Sequence, residues 1–238
     1  MVHTNIDHRR SEAGFTLVEL AVVMIIIGLL IGGILKGQEL IANAEIASTV
    51  SEVKGIDAAT STFRDKYDAM PGDMTNPGGR LANCTGVGGC TTAGNGDNRT
   101  IGGLPLAAPT GEADRFFVHL NAADLLGGIS PGGPAGWGQI FPEASVQGGF
   151  HAQYWNGGAL GIGTPPAGHY LSLVFNPDVA NTNTTLTPNQ AQRIDTKLDD
   201  GIPTTGDVVG SVAACGTVAG YDEDTQAKNC DLVIRFQN

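Results

Sequence analysis

With 238 residues the chain has room for one core-forming domain and a long additional element, which excludes several large domains. Its 35 glycines, 12 prolines and 16% charged residues exclude a helical bundle and point to a domain rich in turns. The 24 acidic against 13 basic side chains give a formal charge of −11, and a surface of that sign repels phosphate backbones, so nucleic acid is not an expected partner.

Residues 1–14 are polar, and their charges cancel, Arg9 and Arg10 against Asp7 and Glu12. From Phe15 to Leu35 the sequence turns apolar and carries one charge, Glu19. An uninterrupted helix over this run spans ~30 Å, the thickness of a bilayer core. The basic pair before it predicts a cytoplasmic start and an exported C-terminal part. A cleaved secretory signal has a shorter apolar core and a small-residue cleavage site behind it, which this stretch lacks. An ordinary anchor explains length and orientation but not Glu19, since a carboxylate costs ~2.5 to 3.5 kcal/mol near the centre of a membrane helix, and less near the interface. A third reading, an anchor that is also an assembly element, gives that carboxylate a partner.

Residues 13–20, Ala-Gly-Phe-Thr-Leu-Val-Glu-Leu, resemble the processing site of type IV prepilins and of type II secretion pseudopilins. The resemblance covers about residues 9–67. It implies cleavage between Gly14 and Phe15 by a prepilin peptidase, N-methylation of Phe15, and pairing of Glu19 with the N-terminal ammonium of an adjacent subunit. Two charges that are each expensive in an apolar filament core become tolerable when matched. It further implies an α+β pilin-like lollipop, a long N-terminal helix packed on an antiparallel sheet head. The implied partners are the chain itself or other pilins in a helical filament, the peptidase and methyltransferase, and inner-membrane assembly machinery. The implied location is the inner membrane before assembly and an extracellular filament or the periplasm afterwards. On this reading residues 1–14 are a leader, 15–35 a transmembrane and filament-core helix, 36–69 its amphipathic continuation, and 70–238 the exported head.

Beyond Lys36, Ile46, Val50, Val53, Ile56, Ala59, Phe63 and Tyr67 draw one stripe along a helix, and Met70-Pro71-Gly72 stops it. Gly28, Gly32 and Gly33 interrupt the apolar half, and two readings stand: local unwinding on assembly, or close helix packing in the membrane. Residues 72–110 show no sustained period and read as a long loop. Ala113, Phe116, Phe117, Leu120 and Ala123 predict a short helix within 110–126, stopped by Gly127-Gly128. Residues 130–169 hold Trp137, Trp155 and short apolar pieces between turns. Strands are expected over 170–175, 208–213 and 232–236.

Cys84, Cys90, Cys215 and Cys230 lack the CxxC spacing of a zinc or redox motif and read as disulfides. Four cysteines allow three connectivities, of which 84–90 with 215–230 closes the shortest loops. A loop closed between the last two strands is similar to the C-terminal disulfide loop of many type IV pilins. Thr187-Pro-Asn-Gln190 begins a helix with a hydroxyl cap, a proline at the first position and a glutamine at the third. Along it Ala191, Ile194 and Leu198 face inward, which leaves Asp195 and Asp199 on a neighbouring face with Asp200 beside them. Those carboxylates oppose the helix dipole, and with Asp207 they form a candidate calcium site; solvated acids offset by Arg193 or Lys197 are the alternative.

His119, His151 and His169 form no ligand pair at helical spacing, and no GxSxG, HExxH or P-loop motif occurs, so catalysis is not expected. Three roles follow from these readings: a structural filament subunit, a periplasmic pseudopilin of a type II secretion machine, and a minor tip subunit whose large head binds a surface, sugar or exported protein as an adhesin or binding module, the glycine-rich loops with Trp137 and Trp155 lining the contact.

Overall fold

A computed structural model describes residues 14–102, 111–133, 136–160, 162–175 and 184–237. Of the leader, Gly14 alone falls among them, and the segments 103–110 and 176–183 lie outside them. The chain divides into two compact units, one ending at Asn43 and the other running from Ala44 to the C-terminus.

The first helix, α1 (Leu17–Tyr67), begins in the first unit and ends in the second. In the first unit its side chains are solvent-facing: Ile25, Leu29 and Leu35 are each more than half exposed, and the most apolar window has a mean hydropathy of 2.7 with none of it buried. That is the profile of a helix made for an apolar environment. The helix passes through Gly28, Gly32 and Gly33 unbroken. In the second unit the pattern changes to one buried stripe, Ile46, Val50, Val53, Ile56, Ala59, Phe63 and Tyr67, joined by Thr49 and Thr60. Both threonine hydroxyls return to the carbonyl four residues back, at 2.9 and 2.8 Å, so neither hydroxyl is stranded against the core. Asp68, at φ 46°, ends the helix in the left-handed region, and its N–H still bonds to the Arg64 carbonyl.

The segment after α1 carries α2 (Pro77–Arg80) and the Cys84–Cys90 disulfide, then leads to α3 (Glu112–Ala122). The predicted stop at Gly127-Gly128 comes too late. Asp124 takes the left-handed position (φ 57°), its N–H bonds to Asn121 and that of Leu125 to Leu120, and this closes the helix a turn earlier.

Strands β1 (Gly149–Trp155) and β2 (Gly168–Val174), helix α4 (Pro188–Leu198), and strands β3 (Val208–Gly210), β4 (Gly216–Thr217), β5 (Gly220–Tyr221) and β6 (Leu232–Phe236) complete the fold. An antiparallel sheet of order β1-β2-β6-β3 places Leu171 opposite both Ala152 and Ile234. Phe150, Leu173, Leu232, Ile234 and Phe236 join the α1 stripe in one core, with Phe116 edge-on to Phe236 at 5.7 Å. Tyr170, Val209 and Val233 make a smaller cluster on the other face, packed by Trp155 and Leu160. The expected strand over 208–213 ends early at Gly210. The chain turns there into a short 3₁₀ segment, Ala213–Cys215, that delivers Cys215 to Cys230.

Candidate functional site

The N-terminal end of α1 holds the residues singled out for processing and assembly. Gly14, Phe15 and Thr16 precede the helix, and Phe15 is 82% exposed. The Thr16 backbone N–H and hydroxyl each donate to Oε2 of Glu19, both at 2.9 Å, while the Glu19 N–H donates to the Thr16 hydroxyl at 3.3 Å. This is a reciprocal capping box: Thr16 is the cap, and Glu19 at the third helical position reaches back to it. A carboxylate at this end also meets the positive end of the helix dipole. The Thr-x-x-Glu pattern was legible in the sequence; reading Glu19 as an intermolecular partner alone passed over it.

The cysteines are joined as Cys84–Cys90 and Cys215–Cys230. Cys215 and Cys230 are fully buried; Cys84 is half-buried. The second disulfide encloses the β4–β5 hairpin, and Val218 at the hairpin tip is 83% exposed.

The acidic residues of α4 do not sit on the face expected of them. Asp195 is fully buried beside Ala191 and Ile194, whereas Leu198 is only partly buried. Asp195 accepts the Tyr221 hydroxyl at 2.8 Å and the Gly201 N–H at 3.1 Å, so two donors hold it inside. Burial pushes its carboxyl up to about 6, helped by the charges of Asp200 and Asp199 and opposed by its two donors. Asp199 accepts the backbone N–H groups of Asp207 and Val208, and Asp200 accepts from Ile202 and the Thr205 hydroxyl. Asp195, Asp199 and Asp200 each place a carboxylate oxygen within 4.8 Å of the others. The Asp207 carboxylate instead lies 3.5 Å from the Arg235 guanidinium.

A second carboxylate group, Asp73, Asp97 and Glu112, gathers within the same 4.8 Å and was not anticipated. Asp73 is buried and accepts the N–H groups of Gly96 and Asn98; Glu112 accepts those of Asn95 and Ile101. Buried Arg115 carries its charge beside Glu112, Asp114 and Asp73. Its sequence signal was Asn95-Gly-Asp-Asn98, read only as loop. The distance from Asp73 along the chain hid the grouping.

His119 is enclosed, accepts the Gly72 N–H on Nδ1 at 2.9 Å and contacts the Cys90 carbonyl through Nε2 at 3.0 Å, which requires the proton on Nε2. His151 lies 3.8 Å from Asp114, and His169 packs on Tyr154 and Phe236. Trp137 donates its indole N–H to the Phe175 carbonyl and packs edge-on to Phe141. Both tryptophans are therefore packing residues in part, not a free aromatic surface.

The family model of the prokaryotic N-terminal methylation motif matches residues 9–35. That motif is the signature of the prepilin-type signal of type IV pilins and pseudopilins, and this N-terminal segment is of that type. Comparison with curated proteins and with solved structures gave no match.

Proposed function

We propose that the chain is a structural subunit of a type IV pilus-like filament, freed from residues 1–14 by a prepilin peptidase, N-methylated at Phe15 and polymerised through α1. The observation that carries this reading is the coincidence of the methylation motif with a single carboxylate, Glu19, in an otherwise uncharged run from Phe15 to Leu35. Pairing Glu19 with the freed amine of an adjacent subunit neutralises both charges where neither is well solvated. Before assembly the subunit spans the inner membrane once, with its N-terminus in the cytoplasm.

Sheared fibres examined by mass spectrometry should contain chains beginning at methylated Phe15. Glu19→Gln should leave leader removal intact and abolish fibres. Wild-type fibre yield from Glu19→Gln would reject the reading. Processed chains confined to the periplasm would make the subunit a pseudopilin, and chains found only at fibre tips would make it a minor binding subunit.

Calcium is the cofactor this reading adds, bound by Asp195, Asp199 and Asp200, with Asp207 drawn from Arg235 as a fourth ligand; oxygen-only donors suit that ion. Calcium should raise the melting temperature of the wild type and not of Asp200→Asn. A rise lost instead with Asp97→Asn moves the ion to the group of Asp73, Asp97 and Glu112.

A further inference from the structure

We propose that Asn156 is a site of spontaneous deamidation, its side-chain amide being lost to attack by the Gly157 backbone nitrogen, so that the turn leaving β1 gains a carboxylate as the molecule ages. The sequence holds two Asn-Gly steps, Asn95-Gly96 and Asn156-Gly157, and a glycine in second place lets its nitrogen close on the preceding amide carbon with no side chain in the way. Both asparagines are exposed, but their hydrogen bonding differs. At the first step the Gly96 N–H donates to Oδ1 of buried Asp73 at 2.7 Å, the Asn95 N–H donates to Glu112 at 3.1 Å, and the Asn95 side-chain oxygen accepts the Asp97 N–H at 2.9 Å. Nucleophile and amide are both held. At the second step, among the described residues, neither the Asn156 side chain nor the Gly157 N–H makes a hydrogen bond. The space around it is open as well: a Cβ at Gly157 would come no nearer than 3.5 Å to Ala167, and one at Gly158 would meet nothing within 4 Å.

In the reaction the Gly157 nitrogen gives up its proton and bonds to the side-chain carbonyl carbon of Asn156. The bond from that carbon to the amide nitrogen breaks, and ammonia leaves with the proton. Water then opens the cyclic imide at either carbonyl, giving an aspartate at position 156 or an isoaspartyl linkage that adds one carbon to the main chain. Water is the only co-reactant. A nitrogen that donates to a carboxylate resists the first step, because it must leave a charged acceptor before it can attack. That protects Asn95 and leaves Asn156 to react. The new charge has the sign of the existing excess of −11. It arises directly after Trp155, whose pairing with Gly168 closes β1 at the border of the sheet.

The test keeps the folded full-length chain in detergent in mildly alkaline buffer, beside a second sample held in urea. Peptide mapping by mass spectrometry reads the conversion of amide to acid at each asparagine over days, and chromatography separates the aspartyl from the isoaspartyl product. In the folded chain Asn156 should convert at least about tenfold faster than Asn95, the factor expected from the charged hydrogen bond on Gly96. In urea the two rates should converge, chiefly through acceleration at Asn95. Equal rates in the folded chain overturn the inference, as does an Asn156 that reacts only in urea. A preference for Asn156 that persists undiminished in urea also overturns it, since the cause would then lie in the neighbouring sequence and not in the fold.

Discussion

Asp231, like Asp195, is withdrawn from solvent, and burial pushes its carboxyl up to about 6 against the opposing bond from Thr185. His119 and His169 move the other way, to about 4, chiefly because burial disfavours the imidazolium; Arg115 adds to the effect at the first and Arg64 at the second. The consequences for stability have opposite signs. A carboxyl whose folded value is raised stabilises fully below its ordinary value of 3.8 and loses that contribution as pH rises through about 6. A histidine whose folded value is lowered stabilises above its ordinary 6.5 and loses that contribution as pH falls towards about 4. Between pH 4 and 6.5 the two pairs oppose each other, so the wild-type melting temperature should change little there. In the double variant Asp195→Asn, Asp231→Asn the histidines are left as the active members of these two pairs, and thermal melts at pH 4, 5, 6 and 7 should show stability falling towards acid. A flat profile in the double variant would show that the two imidazoles titrate alike in the folded and unfolded chain. Asparagine suits position 195, since its oxygen can accept the Gly201 N–H while its amide donates to the Tyr221 hydroxyl.

Helix α4 shows how local chemistry sets an element. The Thr187 hydroxyl accepts the Gln190 N–H at 3.3 Å, the Gln190 side chain accepts the Thr187 N–H at 3.0 Å, and Pro188 occupies the first turn, where a missing N–H costs nothing. Thr187→Ala should cost about 1 kcal/mol, seen as a melting temperature about 2 to 4 °C lower for a domain of this size. A shift under half a degree would show that tertiary contacts, not the cap, hold this end. That start was legible because a capping box is a contact between residues three apart. The α1 stripe was legible for a similar reason, since one period repeats from Ile46 to Tyr67. Burial of Asp195 was not, because it depends on Tyr221, a partner distant in sequence that lies within the Cys215–Cys230 loop. The end of β3 at Gly210 was equally hidden: the apolar run continues, and the demand of Cys215 for Cys230 breaks it. In the candidate site, Gly14, Phe15 and Glu19 stood out as a contiguous signature. Thr16 was missed although its spacing to Glu19 is that of Thr187 to Gln190, because Glu19 already had a reading as an intermolecular partner.

At the scale of the molecule, two environments are written into one chain. The unit ending at Asn43 exposes Ile25, Leu29, Leu30 and Leu35, whereas the unit from Ala44 buries its apolar stripe in its own core. A fragment beginning at Ala44 should accordingly be soluble without detergent and retain both disulfides, with gel filtration reporting a monomer; aggregation at micromolar concentration would show that the core needs residues before Ala44. The Cys215–Cys230 bond adds an order to maturation. Both sulfurs are sealed beneath the surface once β6 has paired and the hairpin has closed over them. An oxidant can reach these thiols only while the strands are still apart, so oxidation must compete with collapse: a chain that closes with its thiols reduced has shut out the reagent it needs and must reopen to be repaired.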